Sequence, residues 1–182
     1  MNALKKAQKE LGKEQIKQID IIYPACFIIW WQEYGWRELR IMRRFQTTRE
    51  VWDECGDYGI EKSILEMLEE ETGVDMQLSG VDDWHNLAYF SKDKWDGKPL
   101  TLPQTIYMHQ QQRKWIAPML LACICISLHR DEGWGGDRIA KFISQVDALR
   151  MELGERPDLF SQRMHEITGR YAEEIFYTEN RK

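Results

Sequence analysis

Apolar residues recur at steps of three and four along much of the chain, most clearly at Ile139, Phe142, Ile143, Val146, Leu149 and Leu153. Positions so spaced share one face of a 3.6-residue helix. Ile41, Phe45, Thr48, Trp52 and Cys55 trace the same path earlier in the chain. Each of these amphipathic stretches follows an apolar segment, residues 25–33 and 115–131, that predicts an apolar helix. Each is followed by a third helical stretch, residues 60–72 and 157–168. Pro157 suits a first helical turn, and Gly73 and Gly169 suit the left-handed position that ends a helix. Residues 2–19, rich in Lys, Gln and Glu, predict a polar amphipathic helix. Residues 103–114 open a long helix that Pro118 bends. Residues 74–103 hold Gly80, Gly97, Pro99 and Pro103 among short apolar runs and read as a connector, in which VDMQL or NLAYF suits a short strand.

The order of these stretches repeats. At a constant offset of 98 positions, Gly35, Trp36, Arg40, Ile41, Glu54 and Gly56 meet Gly133, Trp134, Arg138, Ile139, Glu152 and Gly154. After a two-residue slip, Glu70, Thr72 and Gly73 meet Glu166, Thr168 and Gly169. The expected fold is all-α (mainly α): two copies of a three-helix motif in one compact helical domain, with an irregular connector. The expected divisions are an N-terminal amphipathic helix at 1–24, a first repeat at 25–78, connector and helix start at 79–114, a second repeat at 115–172 and a tail at 173–182.

Composition narrows the function classes. At 182 residues and 43 % apolar, the chain is long enough to bury a core and too apolar for global disorder. Eight tryptophans exceed what a core usually needs, because a buried indole N–H wants a partner. Either some line an interface or pocket, or the core is Trp-rich. A net charge of −5 disfavours general duplex binding. Yet Arg37, Arg40, Arg43, Arg44 and Arg49 crowd one stretch, which leaves nucleic acid open as a partner through helix 37–49. There the Gly-Trp step would be a helix-turn-helix. The second copy, with Asp131, Glu132 and Asp137 near its turn, makes a poor DNA surface. Cys26, Cys55, Cys123 and Cys125 form no C-x-x-C pair and suit reduced, buried thiols. The N-terminus has no apolar signal-peptide core, and the longest apolar stretch is too short for a bilayer, so a cytoplasmic protein without membrane contact is expected.

The repeated feature with chemical content is Trp-x3-Arg-x2-Arg/Lys: Trp36, Arg40 and Arg43 in one copy, Trp134, Arg138 and Lys141 in the other. Positions i, i+4 and i+7 align an indole and two cations on one helix face. These cations sit in the first turns, against the helix dipole. An anionic ligand held by the cations and the free N–H groups of the helix start would account for them. Trp–Arg stacking with ion pairs to Glu33, Glu38, Asp131 or Asp137 is the commoner way to account for them. Cys123, Cys125 and His129 lack the spacing and fourth ligand of a metal site. No phosphate-binding loop, dinucleotide fingerprint or nucleophile–base set is present. No cofactor and no metal are expected; a binding protein is expected ahead of an enzyme, which stays open as a third reading whose site the motifs do not reveal.

Residues 127–146, SLHRDEGWGGDRIAKFISQV, resemble a pattern in small uncharacterised phage and prophage proteins of Gram-positive bacteria. There an apolar helix ends in Leu-His, here Leu128 and His129. A Gly-aromatic-Gly turn follows, here Gly133, Trp134 and Gly135, and an arginine, here Arg138, opens an amphipathic helix. The resemblance covers about the last third of the chain. The first copy keeps only Gly35, Trp36 and Arg40 of it and lacks the histidine. The resemblance implies a phage or prophage origin and a place in the cytoplasm of a bacterial host cell. The expected function is a non-enzymatic binding protein, homo-oligomeric, that sequesters an anionic nucleotide-type small molecule or blocks a host defence protein. The alternative is a nucleic-acid-associated accessory protein.

Overall fold

The polar and apolar stretches at the start of the chain form one continuous helix, α1 (Ala3–Glu33). This was obtained from a computed structural model that describes residues 3–54, 60–86 and 101–177. The division expected at residue 24 therefore falls inside a helix. Pro24 removes one backbone hydrogen bond and costs about 3 kcal/mol. Burial of Ile21, Ile22, Phe27, Ile28 and Trp30 around it outweighs that, at roughly 1.5–3 kcal/mol for each large apolar side chain. The same holds in α4 (Leu102–Glu132), where Pro118 lies inside a run buried from Trp115 to Leu128.

These two long helices pack against each other at the centre. Their buried halves are apolar on every side, as a helix at the middle of a helical domain must be. The other helices are amphipathic and form the cover. They are α2 (Glu38–Glu54), α3 (Ile60–Thr72), α5 (Gly136–Leu153), α6 (Pro157–Thr168) and the short α7 (Ala172–Phe176). On α5 the periodic positions Ile139, Phe142, Ile143, Val146 and Leu149 are all buried. The cover is laid crosswise: α2 and α3 pack mainly on α4, whereas α5 and α6 pack on α1. The described residues thus form a compact all-α domain of seven helices, with a single 3-10 turn at Trp84–Asn86 and no strand.

The VDMQL segment, residues 74–78, is not a strand. Val74, Met76 and Leu78 are buried and alternate with exposed Asp75 and Gln77, which is the period of a strand. No partner strand is present among the described residues, and side chains hold the segment instead. The Trp84 indole N–H donates to Asp75 at 2.6 Å. Ser79 donates its backbone N–H and its hydroxyl to Asp147 on α5, the latter at 2.7 Å. Arg150, also on α5, donates to the Ser79 carbonyl. Burial pushes the Asp147 carboxyl up, but the Ser79 donors and Arg150 outweigh it and hold the group below the usual carboxylate range. Residues 87–90 of the NLAYF segment, Cys55, Gly56 and Trp95 lie outside the described residues. Cys26, Cys123 and Cys125 are buried. Among the described residues no helix is long and apolar enough to cross a membrane.

Candidate functional site

Two turns of the same design position the conspicuous tryptophans. Gly35 follows α1 and Gly133 follows α4, each at φ +65°, a backbone conformation that a side chain would strain. In the first turn the Trp36 N–H donates to the Trp30 carbonyl at 3.0 Å; in the second the Trp134 N–H donates to Leu128 at 3.3 Å. These six-residue closures reverse the chain and swing each indole inward. His129 braces the second turn through its Nδ1, 2.8 Å from the Trp134 carbonyl oxygen.

Trp36 and Trp134 are only 5 % and 2 % exposed. Their rings meet edge-to-face, with centroids 5.8 Å apart. Trp30 lies behind them, stacked on Trp36 at 5.3 Å and on Phe142 at 5.4 Å. On the outer side the Arg40 guanidinium covers Trp36 at 4.1 Å and that of Arg138 covers Trp134 at 4.0 Å. The two Trp–Arg pairs are therefore brought together at one place, between the starts of α2 and α5. Aromatic rings cover the indoles from within and guanidiniums from outside. A ligand here would meet the guanidinium groups rather than the indole faces.

The remaining cations of the two rows diverge from this cluster. Arg43 and Lys141 are exposed, and among the described residues neither forms an ion pair. Arg40 pairs with Glu132 at 2.5 Å. Arg138 instead lies over the Tyr34 ring at 5.2 Å. Of the carboxylates weighed from the sequence, Asp131 pairs with Arg44 at 2.6 Å and Glu38 with Arg170 at 2.7 Å. Sequence reasoning passed over Arg130. Its guanidinium reaches Glu54 at 2.8 Å and Glu71 at 2.6 Å, tying the end of α4 to α2 and α3. Sequence reasoning placed Glu132 only among the acids near the second turn and not as the partner of Arg40, because a position directly before the turn glycine carries no local signal of that pairing.

Three concavities share α2 as a wall. One of about 360 Å³ is lined by Leu39, Arg40, Arg43, Arg44 and Glu132. Beside it, one of about 440 Å³ includes Leu39, Met42, Arg43, Arg170 and Phe176. Leu39, on the ridge between them, is 87 % exposed. A third, of about 450 Å³, lies between α1, α2 and α4 and has Arg49 and Trp52 in its wall. Volumes of this size suit small organic ligands. None of the lining residues is His, Cys or Ser, so these walls offer contacts and charge rather than a histidine- or cysteine-based nucleophile pair. Nothing in sequence spacing reveals the third cavity, because Ile19, Trp52 and Leu120 come together only through helix packing. No protein-family model, curated protein or solved structure matches the chain.

Proposed function

We propose that the chain is a non-enzymatic binding protein that holds an anionic, nucleotide-type ligand on the outer face of α2, with Arg43 at the centre of the site. The observation that carries this is the setting of Arg43: exposed, shared by two adjoining concavities, and without an ion pair among the described residues. A guanidinium in that setting has its fork of donors available for a phosphate or carboxylate. Arg40 contributes at the rim and Leu39 offers apolar contact. Arg138 and Lys141 form a second, flatter cationic row on α5. Arg40 and Arg44 are already neutralised by Glu132 and Asp131, which weighs against a duplex-DNA surface.

We read the architecture as two copies of one three-helix motif, α1–α2–α3 and α4–α5–α6, about a local twofold axis near the paired indoles. Corresponding residues make corresponding contacts, which supports this. Arg40 meets Glu132 while Arg138 meets Tyr34, and Glu132 and Tyr34 occupy equivalent positions before their turn glycines. Gly136 abuts Thr72 and Val74 at the end of α3, and its counterpart Glu38 pairs with Arg170 after the end of α6. On the resemblance of residues 127–146 we take the protein as phage- or prophage-encoded, acting by sequestering its ligand within the host cell.

Calorimetric titration with a panel of nucleotides tests the site. Arg43→Ala should weaken the binding seen for the wild type by roughly tenfold or more, since a hydrogen bond to a charged group contributes about 1.5–3 kcal/mol. Helical content should not change. Binding that survives both Arg43→Ala and Arg138→Ala would remove both cationic rows from consideration.

A further inference from the structure

The cavity between α1, α2 and α4 adjoins the Arg43 face, sharing Met42 and Gln46 with it, but differs from it in chemistry. Its walls are Ile19, Tyr23, Met42, Phe45, Trp52 and Leu120, with Gln15, Gln46 and Thr48 as polar members. Tyr23 and Phe45 stack with centroids 4.4 Å apart and planes 14° from parallel, which fixes the two rings as one rigid part of the wall. Arg49 is the one formally charged residue of the lining. Burial, with Cys123 and Cys26 nearby, pushes the Tyr23 hydroxyl up to about 12, so no phenolate competes for that cation at physiological pH.

On the two-copy reading this cavity has a counterpart on α5, where Asp147 stands in the place of Arg49 and Arg150 in the place of Trp52. There the chain covers its own groove: Ser79 gives two donors to Asp147 and its carbonyl accepts from Arg150. In the α1/α2/α4 cavity the polarity is reversed. A cationic donor replaces the carboxylate, and an indole replaces the guanidinium. A backbone segment offering N–H groups is the wrong partner for Arg49, whereas an anionic acceptor attached to an apolar body is the right one.

We infer that this cavity is a binding site for a small amphiphilic anion, its flat or acyl body against Tyr23, Phe45 and Trp52 and its carboxylate, sulfonate or phosphate on Arg49. A volume of about 450 Å³ accommodates a body of two to three fused or linked rings. The comparison of the two grooves rests on the two-copy reading. The cavity, its aromatic wall and Arg49 do not, and Arg43 is not among the residues that line it.

A pair of fluorescent probes differing in charge tests this: 1-anilinonaphthalene-8-sulfonate and the neutral N-phenyl-1-naphthylamine. Both should bind the wild-type protein saturably at one site. Arg49→Gln should weaken the sulfonate roughly tenfold or more and leave the neutral probe within about twofold. Met42→Trp, at a half-buried wall position, should weaken both probes by filling the space. Circular dichroism and a cooperative urea transition establish that each variant is folded. Arg43→Gln should leave both probes unaffected, so loss of nucleotide binding without loss of probe binding separates the two sites. Absence of one-to-one probe binding, equal loss of both probes in Arg49→Gln, or no effect of Met42→Trp would overturn the inference.

Discussion

Trp134→Ala is expected to lower unfolding stability by about 3–5 kcal/mol, the range for truncating a large buried aromatic side chain. Its indole is inside and touches Trp36, Tyr34 and Phe142 with ring centroids 4.9–5.8 Å away, and the Arg138 guanidinium closes the outer side. The alanine variant would lose the transfer free energy of the indole and leave a cavity where the starts of α2 and α5 meet. Trp36→Ala should act similarly. The double variant should fall short of the sum of the two by about 0.5–1.5 kcal/mol, because the edge-to-face pair is lost only once. Urea midpoints of the four proteins measure all of this. An indole serving chiefly as an exposed ligand platform would behave differently, with binding lost and the midpoint within about 0.5 kcal/mol of wild type.

The second large effect concerns a glycine. Gly136→Ala is expected to destabilise the protein by about 1–3 kcal/mol even though alanine is the better helix former by about 1 kcal/mol. A Cβ at this position would overlap the Thr72 carbonyl oxygen, while meeting the Val74 side chain only at ordinary contact distance. Carbonyl and helix start are both backbone, so neither yields as a flexible side chain would. The neighbouring Gly135 is the control: its φ of −77° is open to any residue and an added Cβ meets nothing within 4 Å. Gly135→Ala should therefore lose only the N-cap preference for glycine over alanine, about 0.5 kcal/mol. Equal tolerance of the two substitutions would contradict the close approach of α5 to the end of α3.

The features readable from sequence were the local ones. The buried face of α5 follows from spacing alone, because helical period decides which side chains share a side. The left-handed glycines at 73 and 169 follow from the steric freedom that only glycine has there. The extended alternation of residues 74–78 was readable too. That the segment runs without a partner strand was not, since pairing depends on what else reaches it. The same limit applies at the site. Spacing put Trp36 with Arg40 and Trp134 with Arg138, but both indoles face inward against each other, a consequence of crosswise helix packing that no local period encodes. It also could not separate Arg40, taken up by Glu132 from 92 residues away, from the exposed Arg43. Nor could it assemble a cavity from α1, α2 and α4.

The claim that most needs testing is that this is a binding protein whose ligand sits on α2. Native mass spectrometry of protein purified from the cells that produce it measures this directly, with wild type and Arg43→Ala side by side. The expected result is a discrete anionic adduct of small-molecule mass on the wild type, lost from Arg43→Ala and restored when that ligand is added back to the wild type stripped of it. A bare wild-type mass that stays bare across a nucleotide panel, or an adduct that Arg43→Ala retains in full, would contradict the account.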